Sequence, residues 1–307
     1  MITFEEAKKI FEIPFFELIY QAHGIHKDNF DSSYIQLSSL FNLQTGGCSE
    51  DCSYCAQSCR NKTKMPKQTI TSLDSVINAA KKVIEIGGTR LCMGASGRAP
   101  NKEFFDLVCK AIIEVKKLGL EACVTMGFLT EDQVKTLKDC GLDYYNHNVD
   151  TSPEHYGKII TSRTIDDRIK TIKLIQKYGI NVCSGGIIGV GESNDDRIKM
   201  LVLLANLDKH PTSVPINKLI KIPGTPLENA PDVDNFDFIR TIALARILMP
   251  KSYVRLSAGR ENMSDEMHAL CFFAGANSIF IGEKLLTAPN SDYTKDMQLL
   301  NRLNLKI

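Results

Sequence analysis

Three cysteines stand close together in one short polar stretch of the chain. Cys48, Cys52 and Cys55 follow the spacing C-x3-C-x2-C within residues 46–59. An iron–sulfur cube normally takes four thiolates from the protein. Three thiolates from one loop therefore predict a cube with one iron left open for a ligand other than protein.

Two other kinds of site could use the same loop. A structural zinc ion takes four ligands, and Cys59 could supply the fourth. A four-thiolate electron-transfer cluster is the second alternative, although its usual cysteine spacings differ from this one. The spacing favours the cube, and both alternatives stay open until the structural context of the loop is known.

The cysteine spacing resembles that of the radical S-adenosylmethionine (SAM) superfamily. In that superfamily the amino and carboxylate groups of SAM chelate the open iron. Tyr54 directly precedes the last cysteine, where the superfamily usually has an aromatic residue. The resemblance implies a [4Fe–4S] cluster on Cys48, Cys52 and Cys55, with SAM as the second cofactor.

Composition restricts the kind of protein that can hold this loop. The chain has 307 residues, 43% of them hydrophobic, and a net charge of 37 − 36 = +1, so nothing favours nucleic acid or a membrane as partner. The N-terminus lacks a secretory signal, and no apolar run approaches the roughly 18 residues of a membrane span. Ten cysteines in such a chain indicate metal or catalytic use. We therefore expect a cytoplasmic protein.

Apolar periodicity predicts helices that alternate with strands. Helices over 72–86 and 102–118 each end at glycine, and capping boxes at Thr164 and Ser193 begin two later helices. At the N-terminus, Thr3 begins a helical region that Pro14 divides, with the second helix ending near Gly24. The predicted strands are 35–43, 89–93, 120–126, 142–147, 180–187, 212–219, 252–257 and 277–281.

Eight strands that alternate with helices predict a closed (β/α)8 TIM-type barrel, with an open doubly wound sheet as the alternative. We expect one domain over 1–307, made of N-terminal helices (1–34), the barrel (35–285) and a C-terminal tail (286–307). Barrel enzymes carry their chemistry at the C-terminal ends of the strands. The cysteine loop follows the first strand, which is the expected position.

Three further cysteines and one arginine lie within predicted strands. Cys92, Cys123 and Cys183 each precede a glycine that ends a strand, so the three fall at similar depth. A single buried cysteine often behaves as a small hydrophobic residue, but three at one depth predict a second cluster. Arg255 lies within another strand and needs a partner, either a carboxylate or, as an unusual fourth ligand, that cluster. Cys109, Cys140 and Cys271 are expected to pack on helices.

Over roughly residues 35–290 the chain resembles the biotin synthase family. The matching stretches are Gly-Gly-Cys48-x3-Cys52-x2-Cys55, Cys92-Met-Gly-Ala, Tyr145-Asn-His-Asn-Val-Asp150-Thr-Ser-Pro, Cys183-Ser-Gly-Gly-Ile-Ile-Gly-Val-Gly-Glu192, Val214-Pro-Ile-Asn217, Gly224-Thr-Pro-Leu and Val254-Arg-Leu-Ser-Ala-Gly-Arg260. The resemblance implies conversion of dethiobiotin to biotin, started by a radical from SAM. It also implies a [2Fe–2S] cluster on Cys92, Cys123, Cys183 and Arg255 as the sulfur source.

The resemblance also assigns the polar residues around these clusters. Asn146, Asn148 and Asp150 alternate along the fourth strand, so they either line the pore or stabilise a turn. The resemblance gives these three to SAM and dethiobiotin and makes Asn148 and Asn217 the residues at the reaction. The remaining implied contacts are Tyr54, Gly189 and Glu192 for SAM, and Ser213 and Ser278 for the orientation of Arg255.

Two positions differ from the family pattern, and the resemblance also implies partner proteins. Cys59 extends the loop and is expected to be free, while Ala288 replaces a frequent hydroxyl residue and leaves Thr287 to meet the substrate carboxylate. The resemblance implies a homodimer and a reductase or flavodoxin-type electron donor. The basic residues Arg60, Lys62, Lys64 and Lys67 either dock that donor or form a solvated loop.

Two rival functions stay open. The chain could be another radical SAM barrel enzyme, of hydrogenase-maturation or pyrrolysine-pathway type. It could also be a zinc or iron–sulfur protein without catalytic turnover.

Overall fold

Parallel strands surround a central axis, and the last of them pairs with the first. This arrangement is seen in a computed structural model that describes residues 1–65, 69–282, 285, 287–288 and 290–307. The strands are β1 (Gln36–Thr45), β2 (Thr69–Ile70), β3 (Arg90–Ala95), β4 (Glu121–Thr125), β5 (Tyr144–Asn146), β6 (Asn181–Cys183), β7 (Gly186–Ile188), β8 (Ser213–Lys218), β9 (Tyr253–Leu256) and β10 (Ser278–Ile281).

Helices connect nearly all of these strands. They are α1 (Phe4–Glu12), α2 (Phe15–Asn29), α3 (Leu73–Glu85), α4 (Lys102–Lys117), α5 (Glu131–Asp139), α6 (Pro153–Ile159), α7 (Ile165–Lys177), α8 (Asn194–Ala205), α9 (Asn235–Leu248), α10 (Asp265–Phe273) and α11 (Tyr293–Arg302). A short 3-10 helix covers Arg260–Asn262.

The strand pairing confirms the predicted (β/α)8 barrel. Parallel pairing runs from β1 through β3, β4, β5, β6, β8 and β9 to β10. Residue Gln36 of β1 then lies opposite Ser278 of β10, which closes the sheet. Closure removes both sheet edges, so the open doubly wound alternative is wrong. The two residues of β2 add an antiparallel pair at the end of β1.

One predicted strand is interrupted. Residues 180–187 form two short strands, β6 and β7, that both pair with β8. The backbone between them passes Pro215 so closely that a Cβ on Gly185 would lie 1.9 Å from the Pro215 carbonyl oxygen. The two pieces together occupy one barrel position, which keeps the number of barrel positions at eight.

Helix starts follow the predicted capping signals. Thr3, Thr164 and Ser193 each form a capping box with the third helical residue. The predicted end of α2 near Gly24 is wrong, because the helix continues to Asn29. Tertiary packing explains the difference, since His26 beyond Gly24 is buried with Ala22 and Ile19 on the inner face.

The N-terminal helices cover one side of the barrel. Helix α2 packs on α9, and α1 packs on α8 and α9. The guanidinium of Arg240 on α9 donates to the carbonyls of Phe11 and Ile13, each at 2.8 Å, where α1 ends. Among the described residues, the helices are all too short or too polar to cross a membrane.

Candidate active site

The cysteine loop (residues 46–59) begins where β1 ends. Gly46 and Gly47 both have left-handed backbone, with φ of 78° and 65°, which turns the chain sharply. The Cys48 N–H donates to the Gln57 carbonyl at 3.0 Å, and the Cys59 N–H donates to the Cys48 carbonyl at 2.8 Å. These bonds close the loop on itself and hold its two halves side by side.

An acidic residue between the first two cysteines ties the loop to the barrel. The Asp51 carboxylate accepts from the N–H groups of Thr161 and Ser162, both at 3.0 Å, and from the Thr161 hydroxyl. Partial burial raises the pKa of Asp51, but these hydrogen bonds outweigh it and bring that pKa well below its usual value. Asp51 therefore stays ionised and fixes the loop against residues 161–162.

The loop cysteines face a cavity. Cys48, Cys52 and Cys55 line a space of about 310 Å³ at the C-terminal ends of the strands, which we call the outer cavity. Burial raises the pKa of Cys52 to about 12 and also raises that of Cys55. Burial therefore disfavours the free thiolates in this site, and bonds to iron ions would compensate their negative charge.

Most residues that the sequence assigns to SAM and substrate line the outer cavity. These are Tyr54, Asn146, Asn148, Asp150 and Asn217. The structure therefore brings the fourth-strand residues to the pore. His147 lines the cavity as well, so the side-chain alternation is not strict because regular strand ends at Asn146.

Internal hydrogen bonds orient the asparagines. The Asn146 amide donates to Asn148 Oδ1 at 3.0 Å, and the Gly185 N–H donates to the same oxygen at 3.2 Å. Asn217 donates to the Gly186 carbonyl at 2.9 Å and accepts from the Ala258 N–H at 3.1 Å. Each amide is thus held by two elements.

Asp150 is paired inside the protein. Its Oδ2 accepts from Arg168 at 2.6 Å, both side chains are buried, and Arg168 also donates to the Tyr156 hydroxyl at 3.1 Å. Arg168 itself lines the outer cavity and was missed by sequence reasoning. The spacing Asp150–Arg168 crosses from a strand end to α7, so only the fold brings the two together.

Gly189 and Glu192 are outside the cavity lining formed by the described residues. The Glu192 carboxylate accepts from the Gly189 N–H at 2.9 Å and from Arg197 at 2.7 Å, so it points back into its own loop. A Cβ on Gly189 would lie 3.2 Å from the Cβ of Leu219, a residue that lines the cavity. Both residues therefore lie behind the residues that line the outer cavity and do not face the cavity themselves.

Deeper in the barrel, a second space of about 120 Å³ is lined by Cys92, Cys123, Cys183 and Arg255; we call it the inner cavity. Cys92 lies opposite Cys123 in the sheet. A hydrogen bond with Cys123 lowers the pKa of Cys92 and of Cys183, and Arg255 lowers both further. Asn146, Asn148 and Asn217 line the inner and outer cavities alike, so the two spaces adjoin.

Arg255 is fully buried and forms no ion pair with any carboxylate of the described residues. Its Nε donates to Ser278 Oγ at 2.9 Å, and a terminal nitrogen donates to Ser38 Oγ at 3.0 Å. Another terminal nitrogen lies 3.9 Å from Cys92 Sγ. A buried cation with only neutral partners is costly, so the thiols, as thiolates or cluster ligands, are its natural counter-charge.

The predicted positioning of Arg255 is right for one serine and wrong for the other. Ser278 contacts the guanidinium, whereas Ser213 makes no hydrogen bond to it and lies instead beside Cys183, across β6 and β8. Sequence reasoning missed Ser38, although its place two residues from Leu40 on β1 put it on a barrel-facing row.

The remaining predicted residues lie near the rim. Cys59 is exposed and free, and within the described residues no three or more His, Cys, Asp or Glu side chains are gathered around a single metal-ion position, as a zinc site would need. Thr287 and Ala288 line the outer cavity. Arg60, Lys62 and Lys64 are exposed beside the loop, while Lys67 lies outside the described residues.

Comparisons with known proteins agree with this geometry. The Radical SAM superfamily model matches residues 43–205, and the model of the Biotin and Thiamin Synthesis associated domain matches residues 215–306. Among solved structures, a methylornithine synthase has a TM-score of 0.83 at 18% identity, covering 100% of this chain and 94% of the other. The hydrogenase maturase HydG of Carboxydothermus hydrogenoformans has a TM-score of 0.82 at 18% identity, covering 98% of this chain and 75% of the other. At such identity these two show the fold alone.

A (β/α)8 barrel with a three-cysteine loop at its mouth and a superfamily match over more than half the chain is a radical SAM enzyme. The Biotin synthase of Rickettsia felis is 56% identical over 99% of this chain and 98% of its own length. The Biotin synthase of Lawsonia intracellularis is 54% identical over 99% of this chain and 96% of its own length. The chain belongs to the biotin synthase family and is a radical SAM sulfurtransferase, for which the family implies a [4Fe–4S] cluster and SAM.

Proposed function

We propose that this enzyme converts dethiobiotin to biotin and takes the sulfur from a [2Fe–2S] cluster held by Cys92, Cys123, Cys183 and Arg255. The main support for this proposal is the buried Arg255, which lines the inner cavity together with three thiols and donates hydrogen bonds to two serine hydroxyls. This donor set suits a cluster, because thiolate ligands satisfy both the iron and the buried guanidinium.

The second part of the proposal concerns the [4Fe–4S] cluster and SAM. We infer that Cys48, Cys52 and Cys55 hold the cluster at the outer cavity, where all three side chains are found. When bound, this pair supplies a carbon radical strong enough to take hydrogen from an unactivated C–H bond. Zinc at Cys59 finds no support, because family membership accounts for the loop without a fourth cysteine.

In this proposal the protein's own side chains bind and orient SAM and dethiobiotin, and they exclude water from the cavities. Asn148 and Asn217, held at both cavities, are proposed to meet the ureido ring of dethiobiotin at the reaction. Tyr54, Asn146 and Asp150 would orient SAM, with Asp150 fixed by Arg168. Gly189 and Glu192 would support the SAM site through the wall at Leu219. Thr287 remains the candidate for the substrate carboxylate, since Ala288 offers no hydroxyl.

Anaerobic reconstitution with iron and sulfide tests the assignment. We expect two spectroscopically distinct clusters, and biotin and 5′-deoxyadenosine that depend on both dethiobiotin and SAM. Turnover of SAM without biotin would favour another radical SAM function, and zinc alone would contradict the whole assignment.

Replacing Cys92 tests the second cluster separately. Cys92→Ala should keep the [4Fe–4S] signal and lose the [2Fe–2S] signal, with biotin falling by about a hundredfold or more, because one of four ligands is gone. Cys271→Ala is the matched control, since Cys271 is buried on α10 away from both cavity linings. Equal biotin formation by both variants would refute the sulfur source.

We further infer that an acidic reductase or flavodoxin-type donor docks at Arg60, Lys62 and Lys64. All three are exposed next to the cysteine loop, and within the described part of the chain only Arg60 has an ion-pair contact with a carboxylate, with a nitrogen 3.7 Å from Asp51. Reversing the three charges should slow reduction by the donor at low salt by about tenfold, while dithionite reduces both proteins equally. Unchanged rates with the donor would leave this loop as an ordinary solvated surface.

Oligomeric state, domain organisation and location are three further points of the proposal. We infer a homodimer, which sedimentation of the reconstituted enzyme tests directly. We also infer a single domain over 1–307, supported by the pairing of β1 with β10. A reducing cytoplasmic setting is consistent with ten cysteines that are all free of disulfides.

A further inference from the structure

The segment that follows α6 packs directly on the cysteine loop. The Ser53 N–H donates to the Ile159 carbonyl at 2.9 Å, and Asp51 holds the backbone of Thr161 and Ser162. These bonds fix the position of the next residue, Arg163. Its side chain is 7% exposed and lines the outer cavity.

Arg163 points at one particular cysteine. A terminal nitrogen donates to Cys52 Sγ at 3.6 Å, which is a normal length for a hydrogen bond to sulfur. The guanidinium lies 5.6 Å from the centre of the Phe128 ring, and its Nε lies 3.7 Å from Glu50 Oε2. That Nε has no hydrogen-bond partner among the described residues, so the side chain is aimed at Cys52 more closely than at the carboxylate.

Glu50 does not neutralise Arg163 by itself. Its Oε1 accepts from Arg98 at 3.1 Å, and its Oε2 accepts from the Ser162 hydroxyl. One buried carboxylate is therefore shared by two arginines and a serine. Burial raises the pKa of Cys52, and the positive charge of Arg163 counteracts that effect.

A donor of this kind changes the energy of a reduced cluster. The potential of an iron–sulfur cluster depends on its net charge, its solvent exposure and the hydrogen bonds to its sulfurs. Reduction adds one negative charge, so a hydrogen bond from a cation to a ligand sulfur stabilises the reduced form more than the oxidised form.

We propose that Arg163 is a positioning residue whose hydrogen bond to Cys52 raises the reduction potential of the cluster on Cys48, Cys52 and Cys55. The inference rests on the cluster assignment made under the proposed function. Arg163 acts through the ligand sulfur and makes the one-electron reduction by a low-potential donor more favourable. Its neighbours Glu50 and Phe128 hold it in that orientation.

The test is a redox titration of the reconstituted protein, followed by EPR in the absence of SAM and dethiobiotin. Arg163→Met should make the cluster about tenfold harder to reduce, which is ~59 mV for a one-electron couple. Arg163→Lys keeps the positive charge but not the planar guanidinium, so its reduction potential should fall by less than that of Arg163→Met.

Arg98→Met is the matched control. It removes the other arginine of Glu50, but Arg98 is 49% exposed and makes no hydrogen bond to Cys52 among the described residues. We expect the control to keep the wild-type potential. Should Arg163→Met fail to retain the cluster, Arg163→Gln gives the same comparison with a shorter polar side chain.

Each outcome decides the question. A potential lowered in the Arg163 variants alone supports the proposal. An unchanged potential, or an equal shift in Arg98→Met, overturns it while leaving the proposed function intact. Failure of the wild-type chain to assemble a [4Fe–4S] cluster overturns both.

Discussion

Two fully buried arginines meet the cost of burial in different ways. Arg246 donates to the carbonyls of Pro250, Ser252 and Gly275, and burial lowers its pKa to about 10. These carbonyls satisfy the guanidinium without any counter-ion. Among the described residues, Arg255 is surrounded by serine hydroxyls, a thiol and the face of the Phe280 ring, with no carboxylate or carbonyl bonded to it, and this difference marks Arg255 as the one that lacks an anionic partner.

His26 provides a pH test at the residue scale. It is 1% exposed on α2, and burial, aided by the nearby Arg246, lowers its pKa to about 4 from 6.5. The folded state therefore holds His26 neutral. The contribution of neutral His26 to the free energy of unfolding is fully present above pH 6.5 and is lost as the pH falls toward 4. At pH 5 the loss amounts to about 2 kcal/mol.

Urea unfolding of wild type and His26→Leu at pH 7.5 and 5.0 measures this contribution. Leucine has a similar volume and no proton to gain, so the variant should lose about 2 kcal/mol less than wild type between the two pH values. His210→Leu, at an exposed position, should behave as wild type. The same pH dependence in His26→Leu would show that other groups cause the acid loss.

Residue types and spacing predicted the cysteines and the arginine that line the two cavities, because thiols at matched depth and an arginine within a strand have few structural uses. Cys48, Cys52 and Cys55 were recognisable from one loop, and Cys92 from its distance to a strand-ending glycine. Side-chain contacts were not predictable in this way. Ser213 was assigned from the resemblance and Ser38 was missed, because a sequence indicates the row on which a residue lies, but neither the strand crossing nor the rotamer that reaches Arg255.

At the scale of elements, alternation and capping predicted the barrel, since each βα unit repeats the same local signals. The break between β6 and β7 could not be predicted, because it depends on the approach of Pro215 from another strand. The break has a use. It frees the Gly185 N–H for Asn148 and the Gly186 carbonyl for Asn217, so it orients both asparagines.

Substitution at the break tests how closely the strands must approach. In Gly185→Ala the new Cβ would lie 1.9 Å from the Pro215 carbonyl oxygen, so the two strands must separate. We expect a loss of about 3 kcal/mol in the free energy of unfolding. Thermal and urea unfolding under anaerobic conditions measure this loss.

Gly157→Ala is the control for that substitution. Gly157 lies on α6, and nothing stands within 4 Å of a Cβ there. The control should be neutral or gain up to about 1 kcal/mol from helix propensity. A Gly185→Ala protein as stable as the control would mean that the break tolerates a wider spacing.

At the scale of the whole molecule, two sequence regions build one barrel. The superfamily match contains the end of β1 and all of β2 to β7, and the second match, from Pro215, contains most of β8 and all of β9 and β10. The inner cavity is lined from both regions, with the three cysteines in the first and Arg255 in the second. Neither region alone can form that site, which supports treating the chain as one domain.

The attachment of the C-terminal helix gives the last prediction. Asp296 on α11 accepts from Arg260 at 3.1 and 2.7 Å, both side chains are buried, and Arg260 also donates to the carbonyl of Phe280, a residue that lines both cavities. Asp296→Asn keeps the volume but leaves a buried cation unpaired, which should cost about 3–5 kcal/mol. Asp265→Asn breaks the exposed pair with Arg302 and should change stability by less than about 0.5 kcal/mol. Unfolding of the two variants side by side measures the difference, and similar stability for both would mean that α11 is held by its apolar contacts, not by the ion pair.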